Sequence, residues 1–337
     1  MSKMPVKQND VILSTKITVS RNLDGLKFPI KLDASGKSEV IKEVRDVLAE
    51  YPIHFEEVVP KYDKLNNELY SKKIVDRQFY EANQGIALFV SDDHELSVLV
   101  NDGEHIKIQC VLPGMDTQNC FVKANKLAVF LENKMNISYT ESLGFLTSDI
   151  EKIGLGMNVT FLAVIPGLLD KNGIVGLSNI FEENYCKLIP FDNKDKSNPL
   201  YFLESRANLG IDENTLLKIS DNLAAQFAAK ERKARCEYLK AGEEIIENYK
   251  NDYYCGYGIL KYGTLFSRKD IVNSISIFYI VQTAQPVNDE TFLSWEQLKL
   301  LVSECVMSIL ALGTEEFNVL ECRKKIAVLV KQILDKE

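Results

Sequence analysis

Asn101-Asp102-Gly103-Glu104-His105-Ile106-Lys107-Ile108-Gln109-Cys110 is the stretch that decides how this chain is read. Ile106 and Ile108 alternate with polar neighbours, the period of a half-buried strand. A second alternating run, Leu96-Ser97-Val98-Leu99-Val100, comes just before it. Asp102, Glu104 and His105 therefore fall where one strand ends and the next begins. Taken alone, such a polar knot is a solvated turn.

The surroundings extend the pattern. Ile86–Val90 and Leu96–Val100 predict a hairpin around Asp92-Asp93, with Ile106–Val111 as the next antiparallel neighbour. Val11 through Val19 and Met157–Ile165 read as further strands. Helices are expected over Ser38–Tyr51, with Val40, Ile41, Val44, Val47 and Leu48 on one face, over Phe121–Leu131 and over Asp212–Tyr238. Asn193–Pro199 is polar and reads as a loop. Near residue 250 the mixture gives way to amphipathic helical spacing. Ser294 with Gln297 forms a capping box ahead of Leu298, Leu301, Val302, Cys305, Val306 and Ile309. Val319, Ile326, Leu329, Val330 and Ile333 mark a last helix, and Trp295 reads as a packing anchor. These stripes suit core or a subunit interface.

Composition narrows the function classes. The 337 residues are 46% hydrophobic and 26% charged, enough for one large or two moderate domains. No apolar run reaches a membrane span, and Met1-Ser2-Lys3-Met4-Pro5 lacks a signal-peptide core, which points to the cytoplasm. Cys110, Cys120, Cys186, Cys236, Cys255, Cys305 and Cys322 include no C-x-x-C pair, and with three histidines no metal site is expected. The net charge of -8 disfavours binding to a nucleic-acid backbone.

The decapeptide resembles N-E-E-D-H-[IL]-R-I-Q-C of the bacterial protein arginine kinases, within the wider phosphagen (ATP:guanido phosphotransferase) kinase family. Asp10–Leu23 with Phe28-Pro29 is similar to D-I-V-L-S-S-R-I-R-L-A-R-N-x…F-P, and Gly144–Ser148 to G-Y-L-T-S. Gly154 and Gly156 stand at the glycines of C-P-T-N-x-G-T-G-L-R, and Asn179-Ile180-Phe181 matches the end of G-E-G-S-E-A-x-G-N-I-F. Leu223–Gln226, Glu231-Arg232, Ala234-Arg235 and Tyr257–Leu260 continue the likeness. The resemblance implies an α+β fold. An antiparallel sheet flanked by helices would form a catalytic domain over 8–247, and an α-helical domain over 248–337 would serve self-association.

It also implies site positions. The family moves the γ-phosphoryl of ATP to a guanidinium nitrogen, with arginines clamping phosphates and carboxylates orienting the acceptor. Its ATP-phosphate positions fall here on Lys16, Thr18, Arg21, Lys107 and Asn158. Lysine keeps a charge but not the bidentate fork of arginine. Two arginines lost and two replaced by lysine would remove about 4–8 kcal/mol, taking roughly 1.5–3 kcal/mol per charge-assisted bond. The catalytic carboxylate falls on Gly103, with Asp102 and Glu104 on either side, and the family cysteine on Asp149. On an extended segment Glu104 should point to the face opposite Gly103. The later family glutamate falls on Val175, and a helix and strand are expected to be lacking between Ile165 and Asn172. The phosphoarginine motif R-D-x-x-R-A maps to Leu320–Lys325, with Glu321 and Lys324 at its acidic and second basic positions.

The resulting expectation is a catalytically impaired relative that works by binding protein partners. Candidates are an active arginine kinase, its adaptor or a Clp-type chaperone, with no cofactor and with homo- or hetero-oligomers foreseen. The alternative is an active guanidino phosphotransferase with a remodelled site, which would need ATP and magnesium.

Overall fold

In the computed structural model, which describes residues 10–58, 69, 74, 75, 79, 85–170, 186–191, 198–205, 209–284, 291–306 and 320–335, the decapeptide is the tip and outgoing strand of a hairpin. Strands β4 (Leu96–Asp102) and β5 (Glu104–Pro113) turn at Gly103, where φ is 74°. Asn101 is also left-handed, at φ 61°. A side chain at the tip would be strained, which is why glycine fits there.

The strands around it form one antiparallel sheet. Besides β4 and β5 these are β1 (Ile12–Arg21), β2 (Phe55–Glu57), β3 (Ala87–Ser91), β8 (Met157–Val164), β9 (Cys186–Pro190) and β10 (Leu200–Ser205). Their order is β2-β3-β4-β5-β1-β8-β10-β9. A short second sheet pairs β6 (Tyr139–Thr140) with β7 (Gly144–Phe145). The expected hairpin around Asp92-Asp93 joins β3 to β4 in the register Leu88↔Leu99. The sheet does not stop short after β8. Pro166–Asp170 is helical, the interval expected to lack a helix and strand continues into residues outside those described, and β9 and β10 follow later and extend the sheet beyond β8.

Alternation sorts the two faces. Ile17, Val19, Ile106, Ile108, Cys110, Val159 and Phe161 point to one side. There they form the main core with α1 (Ala34–Leu48), α2 (Thr117–Lys134) and α3 (Glu213–Arg235). Each of these helices is started by an aspartate accepting from the backbone three residues on: Asp33, Asp116 and Asp212. The Asp33 cap explains why α1 begins at Ala34 and not at Ser38.

The opposite face has three zones. Leu88, Val90, Leu99 and Val111 pack with Val58, Leu69, Ile74, Val75 and Phe79. Leu162, Val164, Leu200 and Phe202 pack with the helices that follow, namely α4 (Glu243–Tyr262), α5 (Arg268–Ala284), α6 (Trp295–Leu300) and α7 (Leu320–Leu334). A polar middle strip lies between them. The boundary expected between 247 and 248 falls inside α4, and the chain turns instead at Gly242, φ 101°. Buried side chains of the sheet and of α4–α6 belong to one continuous apolar cluster. The capping box of Ser294 and Gln297 is present, and α6 runs on as a π-helical turn over Leu301–Val306. Trp295 packs against Tyr279, ring centroids 5.7 Å apart.

Candidate functional site

The polar strip is the floor of a cleft. Register places Lys16 between Val111 and Thr160, and Thr18 between Gln109 and Asn158. Their side chains, with Lys107 on β5 and Glu204 on β10, line a cavity of about 200 Å³. Ile74 and Val75 close one side, where Gln109 Nε2 donates to the Ile74 carbonyl at 2.9 Å. Lys152 and Asp102 stand at its rim.

Two of its cations are paired with carboxylates. Lys107 Nζ lies 2.7 Å from Asp102 Oδ2, and Lys152 Nζ lies 3.2 Å from Asp149 Oδ2. Among the lining residues the cations are Lys16, Lys107 and Lys152, and the carboxylates are Asp102 and Glu204. No arginine lines it among the described residues. Asn158 is buried, and its Oδ1 lacks a hydrogen-bond partner among the described residues.

Several of the expected site residues are elsewhere, Arg21 first among them. Arg21 sits at the end of β1 with its side chain on the core side. Its Nε bonds Glu132 Oε1 at 2.6 Å, Nη1 bonds the Ser20 and Leu155 carbonyls, and the guanidinium lies 3.4 Å over the Phe145 ring. Burial lowers its pKa, and the Glu132 carboxylate opposes that shift. Buried between these partners, Arg21 fastens β7 and α2 to the sheet and does not line the cleft.

Glu104 is the second. Only 2% exposed, its carboxylate accepts from Asn22 Nδ2 at 2.6 Å, from Ser148 N at 2.9 Å and from Ser148 Oγ at 2.9 Å. Asn22 Oδ1 in turn accepts from His105 N at 2.9 Å. Glu104 thus ties the hairpin to the end of β1 and to the 145–149 loop. Glu104 does not line the cleft, in keeping with the expectation that it turns to the face opposite Gly103, whereas Asp102 does line it. His105 is fully buried, with Nδ1 accepting from Leu23 N at 3.3 Å, and desolvation lowers its pKa below 6.5.

Asp149 caps a 3-10 turn over Ile150–Lys152 by accepting from Glu151 N. It reaches the cleft only through its pair with Lys152. Glu321 and Lys324 are exposed on α7, and Glu321 pairs with Lys325 at 3.6 Å. Arg323 is half-buried on α7, where its Nε donates to the Phe266 carbonyl at 2.9 Å. Val175 and Asn179-Ile180-Phe181 lie outside the described residues. Thr160, Gln109, Glu204 and Lys152 are cleft residues that motif matching passed over. Strand parity with Asn158 and Lys107 would have found the first two, and Glu204, the lone charge in Leu200–Ser205, the third.

An antiparallel sheet with helices over one face, and on the other a polar cleft between two apolar zones, defines the class. The sequence profile described as "ATP:guanido phosphotransferase, C-terminal catalytic domain" matches residues 39–234, and the chain belongs to that family. Among curated proteins it is 26% identical over 294 residues to a protein-arginine kinase of Exiguobacterium sp. (strain ATCC BAA-1283 / AT1b), covering 85% of this chain and 82% of the relative. It is 24% identical over 281 residues to that of Pelotomaculum thermopropionicum (strain DSM 13744 / JCM 10971 / SI), covering 80% and 77%. Among solved structures, the substrate-free duplicated taurocyamine kinase from Schistosoma mansoni aligns with a TM-score of 0.58 at 14% identity. That match covers 81% of this chain and spans 45% of the duplicated one. A lombricine kinase aligns with a TM-score of 0.56 at 13% identity, covering 70% and 68%. Among the described residues, no helix is long and apolar enough to cross a membrane.

Proposed function

We propose that this chain is a family member that no longer performs the family's phosphotransfer and that acts by binding protein partners. The observation that carries the reading is the state of the acid-base position. Gly103 offers no side chain, and Glu104, the neighbouring carboxylate that sequence alone left available, is buried with its oxygens engaged by Asn22 and Ser148. A base must reach the proton it removes, and Glu104 does not line the cleft.

The cleft also suits a magnesium-bound triphosphate poorly. A polyphosphate clamp requires an excess of cationic donors, preferably planar forks. Here Lys107 is held by Asp102, Glu204 adds a carboxylate to the same wall, and Asn158 presents an amide in place of a guanidinium. We therefore assign no ATP-dependent step to it. The partner class is an active protein arginine kinase, its adaptor or a Clp-type chaperone, which the retained scaffold would let this chain contact in place of, or beside, an active relative.

One observation favours the alternative of a remodelled enzyme: the cleft is open, about 200 Å³, and carries both lysines and carboxylates. Thermal unfolding of the full chain with and without magnesium and ATP separates the two. The binding reading predicts no shift, together with recovery of one of the named partners when the chain is captured from its native cell. A saturable nucleotide-dependent rise in Tm, or capture that recovers none of those partners, would count against it.

A further inference from the structure

Where the C-terminal end of α3 meets α4, α5 and the helical turn at Pro166–Asp170, a second cavity of about 230 Å³ opens, apart from the cleft. Apolar and aromatic side chains make most of its wall. Ile245 and Ile280 line it together with Tyr238 and Tyr249, whose rings stack with centroids 4.3 Å apart. Ile245 is exposed and Ile280 buried, so the cavity runs inward from the surface and a guest can enter without unfolding the chain.

The charged groups of this wall are answered within the protein. They are Asp170, Glu237 and Arg235. Asp170 Oδ2 accepts from the Tyr249 hydroxyl at 2.5 Å, and Glu237 has Lys240 at 3.4 Å among its contacts. The fully buried Arg235 donates through Nε to Glu231 at 2.6 Å, through Nη1 to Thr283 Oγ1 at 3.1 Å, and through Nη2 to the Asp10 and Val164 carbonyls. Arg232 Nε donates to the Asp10 carboxylate at 3.0 and 3.1 Å. With Lys233 and Arg235 it also offsets the negative pole at the end of α3. Both tyrosines stay uncharged near neutral pH, since burial pushes Tyr238 up to about 12, and burial followed by the Asp170 carboxylate raises Tyr249. The lining therefore favours neither sign of charge.

We propose that this cavity binds a free, uncharged molecule built on one aromatic ring, which passes Ile245 and packs against Ile280 and the tyrosine pair. An ion would shed its hydration for a wall whose charges are already engaged, and that cost selects against both signs. A neutral ring gains from burial of its apolar surface, and the tyrosine rings attract it beyond what area alone supplies. The size fits as well: roughly 150 Å³ suffices for benzene, which leaves room for a small substituent. The site stands apart from the sheet cleft, so it does not depend on whether phosphotransfer survives.

The test is a titration of the full chain at about pH 7, where p-cresol is uncharged, with p-cresol, the aliphatic 4-methylcyclohexanol, benzylammonium and benzoate, followed by calorimetry and by the ring-proton NMR signals of Tyr238 and Tyr249. Saturable binding of p-cresol that moves both tyrosine signals is expected, with the other three each about tenfold weaker, a change of about 1.4 kcal/mol. Ile245→Gln, at an exposed position where folding should be unaffected, should weaken p-cresol by about the same factor. N-acetyltyrosinamide carries the same ring on a peptide unit and should also bind about tenfold more weakly, whereas binding equal to or tighter than p-cresol would place the guest on another protein and overturn the assignment of a free molecule. No saturable binding of p-cresol, equal binding of either ion or of the cyclohexanol, unmoved tyrosine signals, or affinity indifferent to Ile245→Gln would overturn the proposal. Because the tyrosine signals are read in the unaltered chain, misfolding of a variant would not rescue it.

Discussion

Replacing Glu104 by alanine separates a structural carboxylate from a catalytic one. The side chain is 2% exposed and accepts from Asn22 Nδ2, Ser148 N and Ser148 Oγ. A hydrogen bond to a charged group contributes about 1.5–3 kcal/mol. Not all of this is lost, because Asn22 keeps its bond to the Leu146 carbonyl and the Ser148 hydroxyl can turn toward water. Relief of the desolvated charge offsets a further part. Two stranded donors, less that relief, leave a net loss of about 2–4 kcal/mol, with a Tm lower by roughly 5–15 °C at the usual 2–4 °C per kcal/mol for a chain of this class. Asp102→Ala is the control. Its pair with Lys107 is 40% exposed on the aspartate side, so its removal should cost under about 1 kcal/mol. Chemical denaturation of both variants reads the difference directly. If Glu104→Ala were as stable as the parent while Asp102→Ala unfolded, the assignment of Glu104 as a structural tie would be wrong.

Arg21→Ala should destabilise by about 3 kcal/mol, since it leaves Glu132 unpaired and strips the Ser20 and Leu155 carbonyls of a donor; urea midpoints report it, and a loss under about 1 kcal/mol would return Arg21 to the list of free cations. Gly144→Ala should fail to fold or lose several degrees of Tm, because φ is 72° and a Cβ there would run into the Gly154 carbonyl oxygen; normal thermal unfolding would refute that contact. The pH dependence follows from His105, whose folded pKa is depressed below 6.5 by burial. The unfolded chain then binds the proton more readily, so stability is full above about pH 6.5 and declines as pH falls toward the folded value. Denaturant midpoints between about pH 7 and pH 5 should drop, less steeply in His105→Gln, and parallel slopes would show that His105 is not the cause.

How much of this was written plainly in the sequence depends on the range of the interaction. Alternation in Leu96–Val100 and Ile106–Val111 is local, so the hairpin and its neighbour were legible, as was the capping box at Ser294. Arg21 was misplaced because a motif letter carries no direction: one residue further along β1 than Ser20, it turns to the core side, where Glu132 of α2 waits 111 positions away. Strands β9 and β10 carry no motif of the kind that marked the hairpin and went unread, although Leu200–Leu203 has the apolar run of a strand covered on both faces. The reason for Gly103 lies in backbone torsion and not in side-chain chemistry alone, which composition cannot report. The cavity beside Tyr238 and Tyr249 needed four separate elements to meet, and nothing in their spacing announces it.

The central claim, that the scaffold outlived its chemistry, is tested most directly by incubating the full chain with γ-labelled ATP, magnesium and either free arginine or an arginine-containing protein, then measuring acid-labile label on the acceptor. The account predicts no transfer above the protein-free background. Acid-labile transfer that is abolished by Asp102→Ala would contradict it and make the open cleft a working, remodelled active site.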